Sequence, residues 1–179
     1  TESINLVANA LTDRFRPGDE ILISHLEHHA NIVPWQMLAA RTGARLRACA
    51  ITDDGEIDVD SFRALLSERT RLVAVAHVSN ALGTVNPVEE LTRLAHAAGA
   101  LVLIDGAQAI AHFEVDVRRL DCDFYAFSAH KLFGPTGVGV LWGRLALLAS
   151  LPPWQGGGEM IEHVTIGRST WQHPPYRFE

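Results

Sequence analysis

Apolar runs of strand length alternate along the chain with segments of helical period. Six runs are short, largely apolar on both faces and bounded by Gly, Asp, Arg or Asn, as expected for strands covered on two sides. The predicted strands span residues 21–24, 46–51, 72–77, 101–105, 124–128 and 138–142. Helical periodicity predicts helices over residues 31–42, 59–67 and 88–98, and capping-type residues at positions 1–3 predict a further helix at the start.

This alternation predicts an α/β fold with βαβ units, a mostly parallel sheet and helices on both of its faces. The last predicted strand follows a link of only four residues, 134–137, which is too short for a crossover. We therefore expect that strand to run antiparallel. From residue 152 onward, where glycines stand at 156–158, the sequence predicts an extended loop region rather than core.

Composition narrows the class of protein. Of the 179 residues, 47% are hydrophobic and 20% are charged, which supplies one sizeable core. The formal net charge of −6 argues against nucleic acid or an anionic membrane as a partner, and no apolar stretch reaches membrane-spanning length. The first residues do not resemble a signal peptide. Because the chain begins without methionine and stops inside an unfinished element, we interpret it as a piece of a longer protein.

The two cysteines, Cys49 and Cys122, are interpreted as structural. Cys49 lies in a strand-like run, and Cys122 stands between Asp121 and Asp123, whose carboxylates raise the pKa of a thiol and make it a poorer nucleophile. Two thiols without a disulfide framework suit a reducing cytosol, so the expected location is cytoplasmic.

Polar side chains gather where the predicted strands end. Ligands bind at the carboxyl ends of the strands in an open α/β sheet, so we expect these side chains to converge. They are His28, Asn80, Asp105, Gln108, Ser128, His130 and Lys131.

Lys131 and Asp105 carry the most specific chemistry. A buried or half-buried lysine amine loses its proton readily and becomes a candidate Schiff-base nucleophile. An aspartate at the end of an apolar strand is the partner that a pyridinium nitrogen requires, so the pair points to pyridoxal phosphate (PLP). Two alternatives stay open: Lys131 as a surface lysine that opens a Gly-Pro turn, and Asp105 as a turn former before Gly106.

The remaining candidates are individually less specific. His28 could stack over an aromatic cofactor, Gln108 could bind the ring oxygen, and Ser128 and His130 could donate to a phosphate, as could the helix that starts at Thr1. Ordinary capping and polar strand ends explain these residues as well. No metal is expected, because adjacent histidines rarely share one ion and no spaced Cys or His partner is evident.

Several segments in fixed order resemble the PLP-dependent class V aminotransferase family, in particular its group II cysteine desulfurases and selenocysteine lyases. The resemblance covers essentially the whole chain. It rests on residues 1–7, 27–35, 77–84, 105–108, 121–137, 153–158 and 177–179.

The resemblance implies a role for each candidate residue. Lys131 would be the Schiff-base lysine, and Asp105 would pair with the ring nitrogen. His28 would stack on the ring and act in catalysis with Lys131, while Gln108 would bind the ring hydroxyl. Thr1, Ser128 and His130 would bind the phosphate, and Asn80 would contact the cofactor and the substrate carboxylate. Thr170 would bind the phosphate held by the second subunit of a homodimer.

The resemblance also implies a fold and a reaction. Residues 1–179 would form a fold-type I large domain around a seven-stranded-type sheet, without an N-terminal segment and the C-terminal small domain, and 152–179 would lie near the dimer interface. The full protein would convert L-cysteine, or L-selenocysteine, to alanine, leaving an enzyme persulfide for a sulfur-acceptor protein in iron–sulfur assembly. The catalytic cysteine and the carboxylate-binding arginine lie later in such proteins, so this chain alone would be inactive.

Two other readings remain open. One keeps PLP but changes the reaction to that of a selenocysteine lyase or another class V transaminase or epimerase. The other is a non-catalytic relative that uses the cleft only for binding or dimerisation, against which the joint presence of Lys131, Asp105, His28 and Gln108 argues.

Overall fold

The predicted strands form one sheet, with boundaries shifted by a few residues at most. The computed structural model describes residues 1–178. Its strands are β1 (Glu20–Ser24), β2 (Arg45–Cys49), β3 (Thr70–Ala76), β4 (Leu101–Asp105), β5 (Phe124–Ser128), β6 (Gly139–Gly143), β7 (Ile161–Val164) and β8 (Ser169–Trp171). Its α-helices are α1 (Glu2–Ala10), α2 (Val33–Thr42), α3 (Val59–Leu65), α4 (Val88–Ala97), α5 (Val117–Leu120) and α6 (Leu145–Ala149).

Six strands build the main sheet in the order β2-β1-β3-β4-β5-β6. All neighbouring pairs are parallel except β5 and β6, which run antiparallel as the short link between them requires. Within the described residues the sheet has six strands, whereas a sheet of the seven-stranded type was expected. β7 and β8 pair separately as an antiparallel hairpin in the region for which the sequence predicted a loop.

Both faces of the central strands are covered, which explains why β1, β3, β4 and β5 are largely apolar, whereas the edge strands β2 and β6 are partly exposed. On one face, Ile21, Ile23 and Leu103 pack against α1 and α2, where Trp35 and Leu38 are fully buried. Residues of the opposite parity along the same strands pack against α3, α4 and α5 on the other face. Side chains alternate sides along a strand, so a doubly covered strand must be apolar at every position.

The chain order of the strands creates a crevice at one edge of the sheet. From β1 the chain runs outward to β2 and then returns across β1 to β3, so the direction of winding reverses between β1 and β3. At such a reversal the connections leave opposite faces and open a crevice at the carboxyl ends of the strands. The segments after β1, β3, β4 and β5 all meet at this edge.

No helix among residues 1–178 combines the length and apolarity needed to cross a bilayer.

Candidate active site

A cavity of about 250 Å³ lies at the carboxyl edge of the sheet. It is lined by side chains from the start of α1 and from the segments that follow β1, β3, β4 and β5. Eight of the nine predicted site residues line it: Thr1, His28, Asn80, Asp105, Gln108, Ser128, His130 and Lys131. The ninth, Thr170, lies on β8 outside this cavity.

Asp105 is held at the floor of the cavity as the last residue of β4. Parallel pairing sets it beside Ala76 of β3 and Ala126 of β5, and only 9% of the residue is exposed. Its Oδ1 accepts a hydrogen bond from the backbone N–H of Ala107 at 3.0 Å. That bond fixes the direction of the carboxylate while Oδ2 remains for a ligand.

His28 faces the cavity from the turn after β1. Its Nδ1 accepts the backbone N–H of Ala30 at 3.1 Å, which caps a short 3₁₀ turn at His29–Asn31. A ring nitrogen that accepts carries no proton, so in the neutral ring the proton sits on Nε2. The backbone of the turn thus selects the tautomer of the predicted stacking residue.

Lys131 enters the cavity from a 3₁₀ turn, Ala129–Leu132, that continues directly from β5. Its side chain is half-buried, as the sequence predicted, and Ser128 and His130 flank it. Lys131 is also the only lysine among the 179 residues, since the other 14 residues of the Lys and Arg total are all arginines. The position therefore offers the chain's single ε-amine to the cavity.

The part of the cavity near Thr1 and Ser128 suits an anion. Thr1 is the N-cap of α1, yet its hydroxyl makes no capping hydrogen bond, and the Ser128 hydroxyl likewise leaves its turn uncapped. The first N–H groups of a helix have no partner within the helix and carry the positive end of its dipole. These hydroxyls and N–H groups together form a donor set for a phosphate.

Glu27 is a buried acid beside the cavity that sequence reasoning did not single out. It is 8% exposed and accepts three hydrogen bonds, from Ser24 Oγ at 2.5 Å, Asn31 Nδ2 at 2.7 Å and the Ala76 N–H at 3.1 Å. The pKa of its carboxyl is raised to about 7. Burial is the main cause and the charge of Asp105 adds to it, while the three hydrogen bonds act in the opposite direction. In the sequence, only its position directly before His28 indicated that Glu27 lies near the site.

Gly106 lets the segment after Asp105 approach Tyr125 of β5. A Cβ built on Gly106 would overlap the Tyr125 ring, which is 1% exposed and whose hydroxyl is hydrogen-bonded to Nδ1 of His77 at 3.0 Å. The buried ring cannot withdraw without breaking that bond. Glycine is therefore required for packing at this position, not for an unusual backbone angle.

Replacing Gly106 with alanine is expected to lower the free energy of unfolding by about 3 kcal/mol, as overpacking of a rigid core does, and to weaken cofactor binding by displacing Asp105. Thermal unfolding and titration with PLP measure the two effects. Gly156→Ala is the matched control, because a Cβ there meets open space. Equal behaviour of the two variants would contradict the packing argument.

Both cysteines are buried, in agreement with the interpretation that they are structural. Cys49 and Cys122 are fully inaccessible, and burial raises the pKa of each thiol to about 12. The sequence argument gave the neighbouring carboxylates as the cause. Here burial has the larger effect, and the charges of Glu27 at Cys49 and Asp123 at Cys122 add to it.

Neither thiol is expected to react with an alkylating reagent in the folded protein, because a thiol rather than a thiolate is a poor nucleophile and both are shielded. Iodoacetamide labelling followed by peptide mass spectrometry tests this, with unfolded protein as the positive control. Labelling of Cys49 or Cys122 under native conditions, at the rate of the unfolded chain, would contradict the burial described above.

The comparisons with known proteins agree with this geometry. The family Aminotransferase class-V matches residues 1–179. A cysteine desulfurase of Dickeya dadantii (strain 3937) is 61% identical over 181 residues, which cover 100% of this chain and 44% of that protein. The crystal structure of the cysteine desulfurase CsdA from Escherichia coli has a TM-score of 0.97 at 45% identity, covering 99% of this chain and 45% of CsdA.

A more distant relative, C-DES, carries ligands. The cystine C-S lyase C-DES in complex with its reaction product cysteine persulfide has a TM-score of 0.87 at 32% identity, covering 99% of this chain and 48% of C-DES. A variant of C-DES with glycine covalently linked to the PLP cofactor has a TM-score of 0.85 at 30% identity, over the same shares of the two chains.

A mostly parallel α/β sheet with an amine, a buried carboxylate and a group of free donors around one cavity is the arrangement that a PLP-dependent α/β enzyme needs. The chain belongs to the class-V aminotransferase family. The predictions of fold, family and cofactor are thereby confirmed. The chain spans about 44% of the length of the Dickeya dadantii desulfurase.

Proposed function

We propose that this chain is the PLP-binding large domain of a cysteine desulfurase, which removes sulfur from L-cysteine and leaves L-alanine. The observation that carries the proposal is the single cavity shared by the Lys131 amine, the Asp105 carboxylate and the donors at the start of α1. Relatives named cysteine desulfurase match the chain over its whole length, at 61% identity in Dickeya dadantii.

The residues around the cavity fit PLP. The cofactor needs an amine for its aldehyde, a carboxylate for its ring nitrogen, a ring for stacking and donors for its phosphate. Lys131, Asp105 and His28 supply the first three. The phosphate donors would be Thr1, Ser128 and His130, with Gln108 at the ring hydroxyl and Asn80 toward the substrate carboxylate.

When bound, PLP supplies an electron sink for the Cα–H bond of an amino acid. The protein's contribution is to hold and move protons. Asp105 would hold a proton at the ring nitrogen, and the Lys131 amine would take the Cα proton and later return a proton to the substrate carbons. His28, with its proton on Nε2, would be available as a further donor beside the ring.

The sulfur step needs a nucleophile that these residues do not provide. Cys49 at the end of β2 and Cys122 before β5 are buried thiols that lie outside the cavity. A cysteine elsewhere in the full-length protein would attack the sulfur of the substrate and break its Cβ–S bond. The bonding electrons would stay with the substrate carbons, and Cβ would take up a proton to become the methyl group of alanine. The sulfur would remain on that cysteine as a persulfide, for transfer to an acceptor protein in iron–sulfur assembly. A reducing cytoplasm suits this chemistry and keeps the two structural thiols free.

Trapping with borohydride tests the cofactor proposal. The full-length protein is incubated with PLP, reduced and digested, and the adduct is located by peptide mass spectrometry, while alanine release from L-cysteine is measured in parallel. We expect the adduct on Lys131, together with alanine release. A folded protein that gives neither would overturn the proposal. An adduct without alanine release from L-cysteine, but with release from L-selenocysteine, would favour a selenocysteine lyase.

We further propose a homodimer, with the surface around β6 and the β7–β8 hairpin as its interface. Three large apolar side chains on this surface are strongly exposed: Phe133 to 93%, Val164 to 63% and Ile166 to 109%. Exposed apolar patches of this kind mark surfaces that bind a partner. Phe133 also has a positive φ of 58°, which is uncommon for a bulky residue. A second copy of the chain would cover this surface and bring Thr170 to the partner's phosphate.

Hybrid dimers test whether Thr170 serves the other subunit. Lys131→Ala and Thr170→Ala each damage a homodimer. In a mixed dimer, one cavity would receive both changes and the other would receive neither, so the activity per intact cavity should return to the wild-type value. If Thr170 served its own subunit, no cavity of the mixed dimer would be intact and activity would stay low.

A further inference from the structure

The buried carboxyl of Glu27 joins the ends of two strands to the turn that carries His28. Oε1 accepts from Ser24 at the end of β1 and from the backbone N–H of Ala76 at the end of β3. Oε2 accepts from Asn31, the last residue of the 3₁₀ turn. Glu27 does not line the cavity itself.

The orientation of the Asn31 amide is fixed by its bond to Trp35. Its Oδ1 accepts the indole N–H of Trp35 at 2.9 Å, and the Trp35 side chain is fully buried. Turning the amide over would set its NH₂ group against the indole N–H. The Nδ2 group of Asn31 must therefore donate to Oε2 of Glu27, as the Ala76 N–H donates to Oε1, whereas the Ser24 hydroxyl is able to donate or accept.

Glu27 also lies next to Asp105 through Ala76. The N–H of Ala76 donates to Glu27, and Ala76 is the direct neighbour of Asp105 in the pairing of β3 with β4. The charge of Asp105 raises the pKa of Glu27, and the charge of Glu27 raises the pKa of the Cys49 thiol on β2. A change at Glu27 thus reaches the cavity by two routes, through the His28 turn and through the potential at Asp105.

We propose that Glu27 is a positioning residue, whose carboxylate fixes the turn that holds His28 over the cofactor and adds negative charge behind Asp105. This inference rests on the proposed PLP site. It assigns to Glu27 a role in cofactor binding that a merely structural acid would not have.

The neutral variant Glu27→Gln tests the proposal in the full-length protein loaded with PLP. Its NH₂ group must face either the Asn31 Nδ2 group or the Ala76 N–H, so a hydrogen bond is lost and the charge is gone. We expect the dissociation constant for PLP to rise about tenfold, the size of effect produced by one lost charge-assisted bond.

The absorbance of the bound cofactor gives a second readout. Burial raises the pKa of Glu27 to about 7, so its negative charge is present above that pH. Losing this charge makes a positively charged, protonated cofactor less stable. The midpoint of the absorbance change with pH should therefore move to lower pH, by about half a unit. The titratable groups coupled to Glu27 are Asp105 on β4 and Cys49 on β2, and His28 is its neighbour along the chain; none of them is altered in the variant.

Glu20→Gln is the matched control. Glu20 lies at the other end of β1, is 6% exposed and is bonded to Arg47 and Ser67, far along the strand from the cavity. The Glu20→Gln variant should lose stability without changing the dissociation constant for PLP or the midpoint of the absorbance change. If Glu27→Gln lost stability but kept the wild-type dissociation constant and midpoint, the positioning role would be wrong.

Ser24→Ala is the second variant, for the case in which Glu27→Gln does not fold. It removes one donor to Oε1 and leaves the charge, so the dissociation constant should rise by about threefold and the midpoint should stay in place. An unchanged dissociation constant would overturn the proposal. Failure of the wild-type protein to bind PLP would instead overturn the proposed function, which separates the two outcomes.

Discussion

Replacing Lys131 with alanine is expected to slow alanine formation by roughly 10³-fold or more and to remove the borohydride adduct entirely. In the proposed function this side chain is both the covalent anchor of the cofactor and the carrier of the Cα proton, and positioned acid–base catalysis alone is worth about 10² to 10⁴. The turn itself should survive, because the backbone bond from the Gly134 N–H to the Ala129 carbonyl closes it without the side chain. Turnover, peptide mass spectrometry and thermal unfolding measure the three effects.

Lys131→Arg separates charge from chemistry. Arginine keeps a cation at the position, but its guanidinium stays protonated and cannot form the bond to the aldehyde. Both variants should therefore lose the adduct and the activity alike. Because Lys131 is the only lysine of the 179 residues, an adduct in this chain has no other ε-amine to occupy. Turnover within tenfold of wild type in the alanine variant would contradict the assigned role.

The sequence predicted the sheet well because burial on both faces leaves a strong pattern. The boundaries of β4 and β5 were predicted to the residue, since each apolar run ends abruptly in polar residues. The sequence pattern did not predict the shortest elements. α5 and α6 have four and five residues, too short for helical periodicity, and the β7–β8 hairpin has little apolar alternation.

The start of α2 illustrates how local chemistry shifts a boundary. The pattern predicted a helix from residue 31, whereas α2 begins at Val33, with Pro34 in its first turn. Proline has no N–H to donate and favours the first turn of a helix. Residues 29–31 form a separate 3₁₀ turn, capped by the His28 ring, and that turn directs His28 toward the cavity.

The candidate site could be predicted because its residues share one edge of a parallel sheet. Topology alone brings the ends of β1, β3, β4 and β5 together, whatever the details of packing. The supporting residues could not be found in this way. Glu27 meets the N–H of Ala76 across 49 positions of sequence, and Tyr125 meets His77 across 48. Such contacts depend on the register of the strands, which no local pattern encodes.

Replacing Asp105 with asparagine is expected to lower turnover by roughly 10²-fold, with the fold preserved. An amide can still accept the Ala107 N–H through its oxygen, so the segment after β4 should keep its shape. It cannot stabilise a proton on the ring nitrogen, because it carries no charge. The electron sink that PLP supplies then weakens, and general acid–base steps at Lys131 lose their driving force.

The nitrogen itself can be observed. In protein loaded with ¹⁵N-labelled PLP, the ring nitrogen should be protonated in wild type and unprotonated in Asp105→Asn. Asp123→Asn is the control, since Asp123 is another buried aspartate, 6% exposed, but binds His96, Arg144 and the Val102 N–H at the opposite end of the sheet. It should reduce stability and leave the ring protonated. A ring nitrogen that stays protonated in Asp105→Asn would mean that another group holds the proton, and the assignment of Asp105 would be wrong.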